Sequence, residues 1–509
     1  MNLKNFASRQ GASFGWIGLL LLLVLAGTYL LRPISDPDFF WHLKTGEWIW
    51  QQGSLPTFDT FTFTGPQSPD RQQLFILRSY PLAQLLYYGL HQTFGWAGIF
   101  ALRVLVAAAF LTLLLARFAL GGAKDRSNLL AGGLLLLFCT LFIESYPLDR
   151  PQIFSFLFLG GLLLMYDLAV RRQQERPLLT IALPTFLLTA AWGNFHSGYL
   201  VGMAVLLLLG GVEAALFLCK RRSRSQGIAL GAFVLSGVAG GFFNQNRPDL
   251  ALLSNLFAVK PTTYNNEYFS TLRFYQNFGD QSIILLWLFM ALVALLIVVA
   301  LREPDNLAES LLLLALGTYA FLYIRHVPFF LMAAIPFVYN QLLAKKLPRF
   351  LPYLLSALCL ASFLFYAQDE CKNGQQLAAK GAISREMPVA AADFIVKANL
   401  RGRIFNSYGW GGYLLWRLGP ERQIYQDGRG LNQTVVLDWL SSLMGMKSGS
   451  GRFLWQEILD KYRIDLAVLP KNSEENPGQA HELAVAMSRN PEWKVEYYDE
   501  LSIVFSRRR

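Results

Sequence analysis

Residues 35–42 read Ser-Asp-Pro-Asp-Phe-Phe-Trp-His, and this stretch decides how the rest of the chain is interpreted. It comes directly after an apolar run, residues 16–31, which is long enough to cross most of a lipid bilayer. Two carboxylates, Asp36 and Asp38, therefore stand at the end of a first membrane helix. Charged groups at a membrane boundary are costly unless they have a task, so this acidic motif is a candidate functional site. The alternative is a solvated turn, because Asp-Pro is common in turns and Trp41 is a typical interface residue.

The composition of the chain points to a membrane protein. Of its 509 residues, 54% are hydrophobic, and its mean hydropathy is +0.34, whereas soluble domains are about 45–50% apolar. The formal net charge of +11 is spread in short clusters between apolar runs. Such a distribution is typical of membrane topology and excludes a single nucleic-acid-binding patch. None of the 4 cysteines forms a Cys-x-x-Cys pair, so neither a disulfide framework nor a zinc site is indicated.

Eleven apolar segments approach the length of about 20 residues that a bilayer requires. They lie near residues 16–31, 97–118, 128–144, 153–170, 178–193, 199–219, 228–243, 281–301, 308–325, 328–343 and 351–367. The first is followed by Arg32-Pro33 and not by a small-residue cleavage site, so it is interpreted as a retained signal-anchor. Lys and Arg clusters recur in every second loop, which predicts a cytoplasmic N-terminus and, with an odd number of spans, an extracytoplasmic C-terminus.

The sequence predicts two domains, a polytopic α-helical membrane domain and a C-terminal extracytoplasmic α/β domain. Residues 1–368 form the membrane domain, whose long first outer loop, residues 33–96, carries interfacial helices. Residues 369–509 have the composition of a soluble domain. Short strands are predicted at 403–407, 423–426, 465–470, 494–498 and 502–506, with helical patterns at 388–400, 413–418 and 453–462. This alternation favours a compact α/β domain.

Polar side chains of the membrane half collect in the predicted outer loops and at outer helix ends. Transporters place such groups near the bilayer midplane, where this chain has almost no ionisable residue, so a site at the outer interface is favoured. The candidate site residues are Asp36, Asp38, His42, Arg150, Gln152, Asn194, His196, Asn246, Glu267, Arg325, His326, Asp427 and Arg429. Each also has a structural interpretation, as a helix-end anchor, a loop cap or a turn residue.

The chemistry of this set suits group transfer from a phospholipid-linked donor. A carboxylate pair can deprotonate an acceptor hydroxyl or amide, or hold a divalent metal ion, for which Asp36 and Asp38 are the candidate ligands. Arginine and histidine at the rim can bind a phosphate or pyrophosphate. An apolar groove beside them would accept a lipid tail. The Gly-rich stretch 408–412 is not a Gly-x-Gly-x-x-Gly fingerprint, so no nucleotide cofactor is predicted.

The overall plan resembles the GT-C superfamily of integral-membrane glycosyltransferases, which includes protein O-mannosyltransferases, aminoarabinose transferases and oligosaccharyltransferases. The shared plan is a cytoplasmic N-terminus, a first span, a long outer loop with an acidic motif and two interfacial helices, and many further spans. The resemblance covers most of residues 10–370, and the acidic motif here is Asp36-Pro37-Asp38. It implies that one of these carboxylates is the catalytic base or orients a metal ion, and that the sugar donor is linked to a polyprenyl phosphate.

A more specific resemblance is to a group of poorly characterised bacterial membrane proteins that share several sequence blocks. The blocks are Asp-x-Asp-x-x-Trp-His-Leu-x-x-Gly at 36–46, Arg-Pro-Gln at 150–152, Asn-x-His-x-Gly at 194–198, Arg-His at 325–326, and Gly-Gly-Tyr-Leu with a distal Asp-Gly-Arg at 411–414 and 427–429. The Trp-Trp-Asp signature of oligosaccharyltransferases and the adjacent Asp-Glu of protein O-mannosyltransferases are absent. The resemblance therefore leaves the acceptor open.

These observations lead to one main hypothesis and two alternatives. The main hypothesis is an inverting glycosyltransferase of the bacterial cytoplasmic membrane, which moves a sugar from a polyprenyl-phosphate-linked donor to a lipid, glycan or protein acceptor at the outer face. In this hypothesis Asp36 or Asp38 is the base. His42 and His196 support the acceptor or the phosphate, and Arg150 and Arg325 bind the lipid phosphate. The alternatives are a transporter or flippase for a lipid-linked glycan, and a non-catalytic GT-C-like membrane assembly protein whose C-terminal domain binds a partner.

Overall fold

The computed structural model of the chain describes residues 32–120, 127–145, 149–171, 176–246, 266–344, 354–364, 381–472 and 481–508. The first predicted span, residues 16–31, lies outside the described residues, and so do the two ends of the last predicted span, 351–367.

The regular elements in the first part of the described chain are all helices, and the C-terminal part contains both helices and strands. In chain order the helices are α1 (Pro37–Gln52), α2 (Arg71–Arg78), α3 (Pro81–Phe94), α4 (Trp96–Leu120), α5 (Ser127–Ser145), α6 (Gln152–Arg171), α7 (Leu183–Phe195), α8 (Tyr199–Leu218), α9 (Arg224–Gly241), α10 (Thr271–Phe278), α11 (Ser282–Ala300), α12 (Leu307–Leu322), α13 (Val327–Ala344), α14 (Leu354–Leu364), α15 (Val389–Lys397), α16 (Gly411–Leu418), α17 (Gln433–Leu443), α18 (Leu454–Lys461) and α19 (Glu482–Ser488). The strands are β1 (Ile404–Asn406), β2 (Leu466–Pro470), β3 (Trp493–Tyr498) and β4 (Ser502–Arg507).

By contact the chain divides into two compact units. The membrane unit contains Met1–Arg32 and Ala97–Lys380, and the sheet unit contains Pro33–Trp96 and Gly381–Arg509. The sequence pattern predicts residues 33–96 as the first outer loop of the membrane domain. In the structure this loop belongs to the same compact unit as the C-terminal segment.

The membrane unit is a set of long apolar helices. Among the described residues, six segments are long and apolar enough to cross a membrane: Trp96–Leu120, Gln152–Arg171, Leu178–Phe195, Tyr199–Leu218, Ser282–Ala300 and Ile324–Ala344. Four other predicted spans coincide with α5, α9, α12 and α14, whose described residues do not meet the same length and hydropathy. The chain is therefore a multi-pass membrane protein, and the count of eleven spans and their orientation stay predictions.

Two buried ion networks join helices of the membrane unit. The Nε of Arg117, on α4, donates to Asp167 of α6 at 2.7 Å, and its Nη1 donates to the carbonyl of Met332 on α13 at 2.9 Å. The Nε of Arg222, in the loop that follows α8, donates to Glu213 of α8 at 2.6 Å, and Glu213 accepts the hydroxyl of Tyr166 on α6 at 2.6 Å. Because each buried charge faces an opposite charge, these groups link helices without leaving an uncompensated ion in the interior.

The sheet unit is built on a four-stranded sheet with the order β1-β2-β4-β3. β1 and β2 are parallel, and the other two pairs are antiparallel. Both faces of β2 are buried. The hydrophobic core of the sheet unit includes Phe405, Trp455 and Phe505. The strand predicted at 423–426 is not formed, because Ile424 makes only isolated bridges. Sequence reasoning placed the other four strands at the correct positions, since their apolar residues follow one another without helical spacing.

The first outer loop packs with the C-terminal segment through backbone and aromatic contacts. The N–H of Ile34 donates to the carbonyl of Ala382 at 2.9 Å. Phe40 on α1 lies with its ring centroid 5.1 Å from Tyr413 and 5.4 Å from Trp416, both on α16. Aromatic rings at these separations bury large apolar areas. The apolar face of α1 is therefore covered by the C-terminal segment, and its polar N-terminus is held in a fixed place.

Candidate active site

The acidic motif forms the beginning of α1. Asp36 is the N-cap, and its Oδ1 accepts the N–H of Asp38 at 2.9 Å. Pro37 occupies the first helical position, where its missing N–H costs nothing. Asp38 therefore lies in the first turn, where the partial positive charge of the helix N-terminus favours a carboxylate. Asp36 is 5% exposed, whereas Asp38 is only half-buried.

Three glycines of the C-terminal segment make close backbone contacts around this motif. A Cβ at Gly412 would lie 2.1 Å from the carbonyl oxygen of Pro37, and one at Gly428 would lie 1.8 Å from Oδ1 of Asp38. A Cβ at Gly411 would lie 2.2 Å from the carbonyl oxygen of Gln426. At Gly411 and Gly412 the nearest atoms are main chain and exclude a side chain, whereas at Gly428 they belong to the Asp38 carboxylate, which a side chain would displace. The glycines of the blocks at 411–414 and 427–429 therefore allow these segments to approach Asp36–Asp38 closely.

Arg429 forms a buried ion cluster with two carboxylates. Its Nε donates to Oδ1 of Asp427 at 2.8 Å, and its Nη2 donates to Oδ1 of Asp59 at 3.0 Å. Burial disfavours the charged guanidinium, but the two carboxylates raise the pKa of Arg429 above its usual range. The guanidinium carbon also lies 5.9 Å from the ring centroid of Trp41 and 5.5 Å from that of Phe61. The donors of Arg429 are thus directed to protein carboxylates.

A small polar cavity lies beside this cluster. Its volume is about 20 Å³, and it is lined among others by Asp59, Thr64, Gln426 and Asp427. Gln426 is 4% exposed, and within the described part of the chain neither atom of its side-chain amide has a hydrogen-bond partner. A cavity of this size holds about one water molecule. The Gln426 amide is therefore satisfied when a water occupies this space.

His42 packs between α1 and α3. It is 2% exposed, and its Nδ1 lies 3.3 Å from Nε2 of Gln84. With the Gln84 amide nitrogen as the donor, Nδ1 of the imidazole accepts this hydrogen bond. The ring of Tyr80 lies edge-on with its centroid 4.8 Å away. The structure thus places His42 in the packed interface beneath the acidic motif.

Four candidate residues of the membrane unit come together through one short turn. Arg150 forms an ion pair with Glu267. Tyr268, the next residue in that turn, lies under Arg325, whose guanidinium carbon is 4.6 Å from the ring centroid. His326 stacks on Tyr319 with ring centroids 4.0 Å apart. The sequence prediction that Arg150, Glu267, Arg325 and His326 share one region is consistent with this arrangement.

His196 is held as a neutral imidazole. Its Nδ1 accepts the N–H of Gly198 at 2.9 Å and lies 2.6 Å from Oγ of Ser155. Ser155 accepts the indole N–H of Trp192 at 2.7 Å, so its own hydroxyl proton is available for the imidazole. Burial, together with the charge of Arg325, lowers the pKa of His196 to about 3.

The remaining candidates of the membrane unit take structural positions near helix ends. Asn194 donates through Nδ2 to the carbonyls of Ala190 at 2.8 Å and Phe243 at 3.0 Å. The carbonyl of Asn246 accepts the hydroxyl of Tyr199. Gln152 begins α6, and its buried Oε1 has no hydrogen-bond partner among the described residues.

Sequence reasoning missed two residues of the site. Asp59 is the only charged residue between Gly53 and Pro69, and a lone acid in an otherwise neutral loop was the signal that could have identified it. Gln426 was assigned to a strand. Within the described residues no group of three or more His, Cys, Asp or Glu side chains is arranged to hold a metal ion.

Comparison with solved structures identifies the fold. The oligosaccharyltransferase of Archaeoglobus fulgidus, solved with a tethered acceptor peptide, matches with a TM-score of 0.57 and 11% identity over 90% of this chain and 69% of that chain. ArnT from Cupriavidus metallidurans in its apo state matches with a TM-score of 0.53 and 12% identity over 97% and 98% of the two chains. ArnT has also been solved with undecaprenyl phosphate bound, and that structure matches with a TM-score of 0.52.

A third similar structure is the arabinofuranosyltransferase AftD from Mycobacteria, with a TM-score of 0.57 and 14% identity over 97% of this chain but only 41% of AftD. These proteins are GT-C glycosyltransferases, so the chain has the GT-C membrane fold that its sequence resembles. No protein-family model and no curated protein matches the chain by sequence.

Proposed function

We propose that the protein is an inverting glycosyltransferase that moves a sugar from a polyprenyl-phosphate-linked donor to a lipid, glycan or protein acceptor. The observation that carries this proposal is the half-buried carboxylate of Asp38 in the first turn of α1, on a GT-C fold. The bacterial cytoplasmic membrane is the proposed location, with the sheet unit on its outer side. The donor class is supported by the undecaprenyl phosphate bound to ArnT.

Asp38 is the better candidate for the base than Asp36. The Oδ1 of Asp36 is engaged in capping α1, and the side chain is buried. Asp38 is more exposed, and a general base must come within hydrogen-bond distance of the proton that it removes. In the proposed step Asp38 takes the proton of the acceptor hydroxyl or amide, and the deprotonated atom bonds to the anomeric carbon. The carbon–oxygen bond to the lipid phosphate breaks, and the phosphate leaves with its electron pair.

Arg150 and Arg325 are proposed to bind the lipid phosphate. Both contact the same short turn of the membrane unit, Arg150 through Glu267 and Arg325 through Tyr268. Arginine suits this role because its planar fork binds phosphate oxygens in pairs. Gln152, Asn246 and the backbone near them are proposed to line the same region. His42 and His196, both buried, are proposed to support the acceptor or the phosphate.

A groove in the membrane unit supports a lipid-linked donor. It lies between α8 and α12, has a volume of about 510 Å³, and is lined by apolar side chains such as Val201 and Leu316. One of its lining residues is Tyr319, which stacks on His326, the neighbour of Arg325. An isoprenoid tail in this groove would have its phosphate end near cationic side chains.

A divalent metal ion would find two carboxylates at the acidic motif, Asp36 and Asp38. Carboxylate oxygens suit Mg²⁺ and Mn²⁺, but the described residues bring no third acidic or imidazole ligand to them. We propose steps that protein groups carry out alone, with a metal ion held by Asp36 and Asp38 as the alternative. Chelation of divalent ions in isolated membranes tests this: unchanged transfer supports a metal-independent base, and loss restored by Mg²⁺ or Mn²⁺ contradicts it.

The proposal is tested by comparing Asp36→Asn, Asp38→Asn and the double variant with a full deletion, using glycan analysis of cells and equal membrane levels. Asp70→Asn is the matched control, because Asp70 also caps a helix, α2, but is exposed. We expect Asp38→Asn to lose the same sugar as the deletion, and Asp70→Asn to keep it.

Retention of that sugar in the double variant contradicts the transferase proposal. Movement of a lipid-linked glycan across the membrane without a new glycosidic bond would instead identify a flippase. Loss of function in the deletion with normal function in Asp38→Asn would identify an assembly protein.

A further inference from the structure

Gly428 places its main chain against the carboxylate of Asp38. The three heavy atoms nearest to a Cβ built on Gly428 all belong to Asp38, with Oδ1 at 1.8 Å and Oδ2 at 3.1 Å. The φ angle of Gly428 lies outside the left-handed region that favours glycine. Backbone conformation therefore does not require a glycine here. Glycine is required here because the Asp38 carboxylate occupies the space that a Cβ would need.

Arg429 and Tyr408 hold this loop in place on either side of Gly428. Arg429 is fixed to Asp427 and Asp59, and its guanidinium lies beside Trp41, one helical turn after Asp38 on α1. The hydroxyl of Tyr408 donates to the carbonyl of Gly428 at 3.2 Å. Because these contacts restrain the loop from several directions, its main chain forms a rigid wall for a short side chain.

We propose that the Asp427–Arg429 loop is a positioning element for Asp38, with Gly428 and Arg429 as positioning residues. This inference rests on the proposed function, in which Asp38 is the base. The loop limits the rotamers of the carboxylate, so that its oxygen is already directed when the acceptor arrives. A displacement of about 1 Å in a reacting group can lower a rate by about 100-fold, so such restraint has a large effect on transfer.

The decisive variant is Gly428→Ala. The new methyl group meets the end of a side chain and not main chain, so the carboxylate can rotate away while the backbone stays. We expect a normal membrane level and thermal midpoint. Transfer of the sugar that the full deletion loses should be reduced about 10- to 100-fold. The matched control is Gly409→Ala, because a Cβ at Gly409 has no heavy atom within 4 Å. This control should transfer at the wild-type rate.

A double-mutant cycle separates positioning from general damage. If Gly428 acts through the Asp38 carboxylate, the residual transfer rate of purified Gly428→Ala combined with Asp38→Asn is no lower than that of purified Asp38→Asn alone. A second measurement needs no substrate. If Gly428→Ala lowers the thermal midpoint or membrane level, adding Asp38→Ala should restore it, because that change removes the atoms that the new methyl group meets.

Several outcomes overturn the inference. Wild-type transfer by Gly428→Ala, equal losses in Gly428→Ala and Gly409→Ala, or a further loss in the combined variant each show that the loop does not act through Asp38. If Gly428→Ala lowers the thermal midpoint or membrane level and Asp38→Ala does not restore it, the new methyl group does not act through Asp38 either. Normal transfer by Asp38→Asn overturns the proposed base itself, and this result is distinguishable because it does not depend on Gly428.

Discussion

The two carboxylates of the acidic motif differ because a helix begins between them. In the sequence Asp36 and Asp38 are equivalent candidates, since they are two residues apart in a polar stretch. The structure separates them by backbone geometry: Asp36 precedes the helix and caps it, while Asp38 is in the first turn and more exposed. Helix capping by Asp before Pro was readable from the sequence, and the difference in burial was not.

Substitutions at Asp36 should separate its capping role from its charge. Asp36→Ala removes the cap and should lower the free energy of unfolding by about 1 kcal/mol, whereas Asn caps as well as Asp and Asp36→Asn should leave it unchanged. Thermal unfolding of the purified protein measures both. If Asp36→Asn abolishes transfer while leaving unfolding unchanged, the charge of Asp36 contributes to the reaction and Asp38 is not the only group involved.

Replacement of Arg429 should expose the cost of its buried carboxylates. Arg429→Met leaves Asp59 and Asp427 buried beside each other without a cation, and breaking a buried pair in this way costs about 3–5 kcal/mol. Arg429→Lys should cost less, because it keeps the charge and loses the fork. The measurement is the thermal midpoint, and adding Asp59→Asn to Arg429→Met should recover part of the loss. No recovery would mean that Arg429 stabilises the unit through Trp41 and Phe61 instead.

At the scale of elements, apolar runs predicted the membrane helices well because a bilayer requires long stretches without charges. The predicted spans at 97–118, 153–170 and 281–301 match α4, α6 and α11 closely. The predicted strand at 423–426 failed for a different reason. Its apolar residues, Ile424 and Tyr425, are buried both by the first outer loop and by β1, and Ile424 makes only isolated bridges to Thr62 and Ile404. A local pattern does not reveal which partners bury a residue or whether they extend a sheet.

The groove between α8 and α12 gives a prediction at this scale. Ala315 lines the groove and is exposed, so Ala315→Trp should fill it without disturbing the helix core. Filling a site with excess volume costs about 1–3 kcal/mol, which corresponds to roughly 5- to 150-fold weaker binding of undecaprenyl phosphate by the purified protein. Ala294→Trp, at an exposed position of α11 outside the groove, is the control. Equal binding by both variants would place the lipid tail elsewhere.

At the scale of the whole molecule, the sheet unit is assembled from two segments that lie far apart in the sequence. Composition changes predicted a soluble C-terminal domain, and the hydrophobic pattern predicted interfacial helices in the first outer loop. Neither signal is sensitive to contacts between residues separated by more than 300 positions, such as the bond from Gln73 to the carbonyl of Leu431 at 2.7 Å. The acidic motif and the Asp427–Arg429 loop therefore appeared in the sequence as two separate candidates.

This assembly predicts the result of truncation. Removing 381–509 takes away α16, which covers Phe40, together with the loop that contacts Asp38. The truncated chain retains Asp36 and Asp38 but should lose the same sugar as Asp38→Asn, and residues 33–96 should become sensitive to protease because their apolar face is exposed. Protease digestion of membranes and glycan analysis measure the two effects. Because a deletion removes both a possible partner surface and the support of the acidic motif, only the comparison with Asp38→Asn distinguishes a transferase from an assembly protein. A truncated chain that still transfers the sugar would show that the acidic motif works without the C-terminal segment.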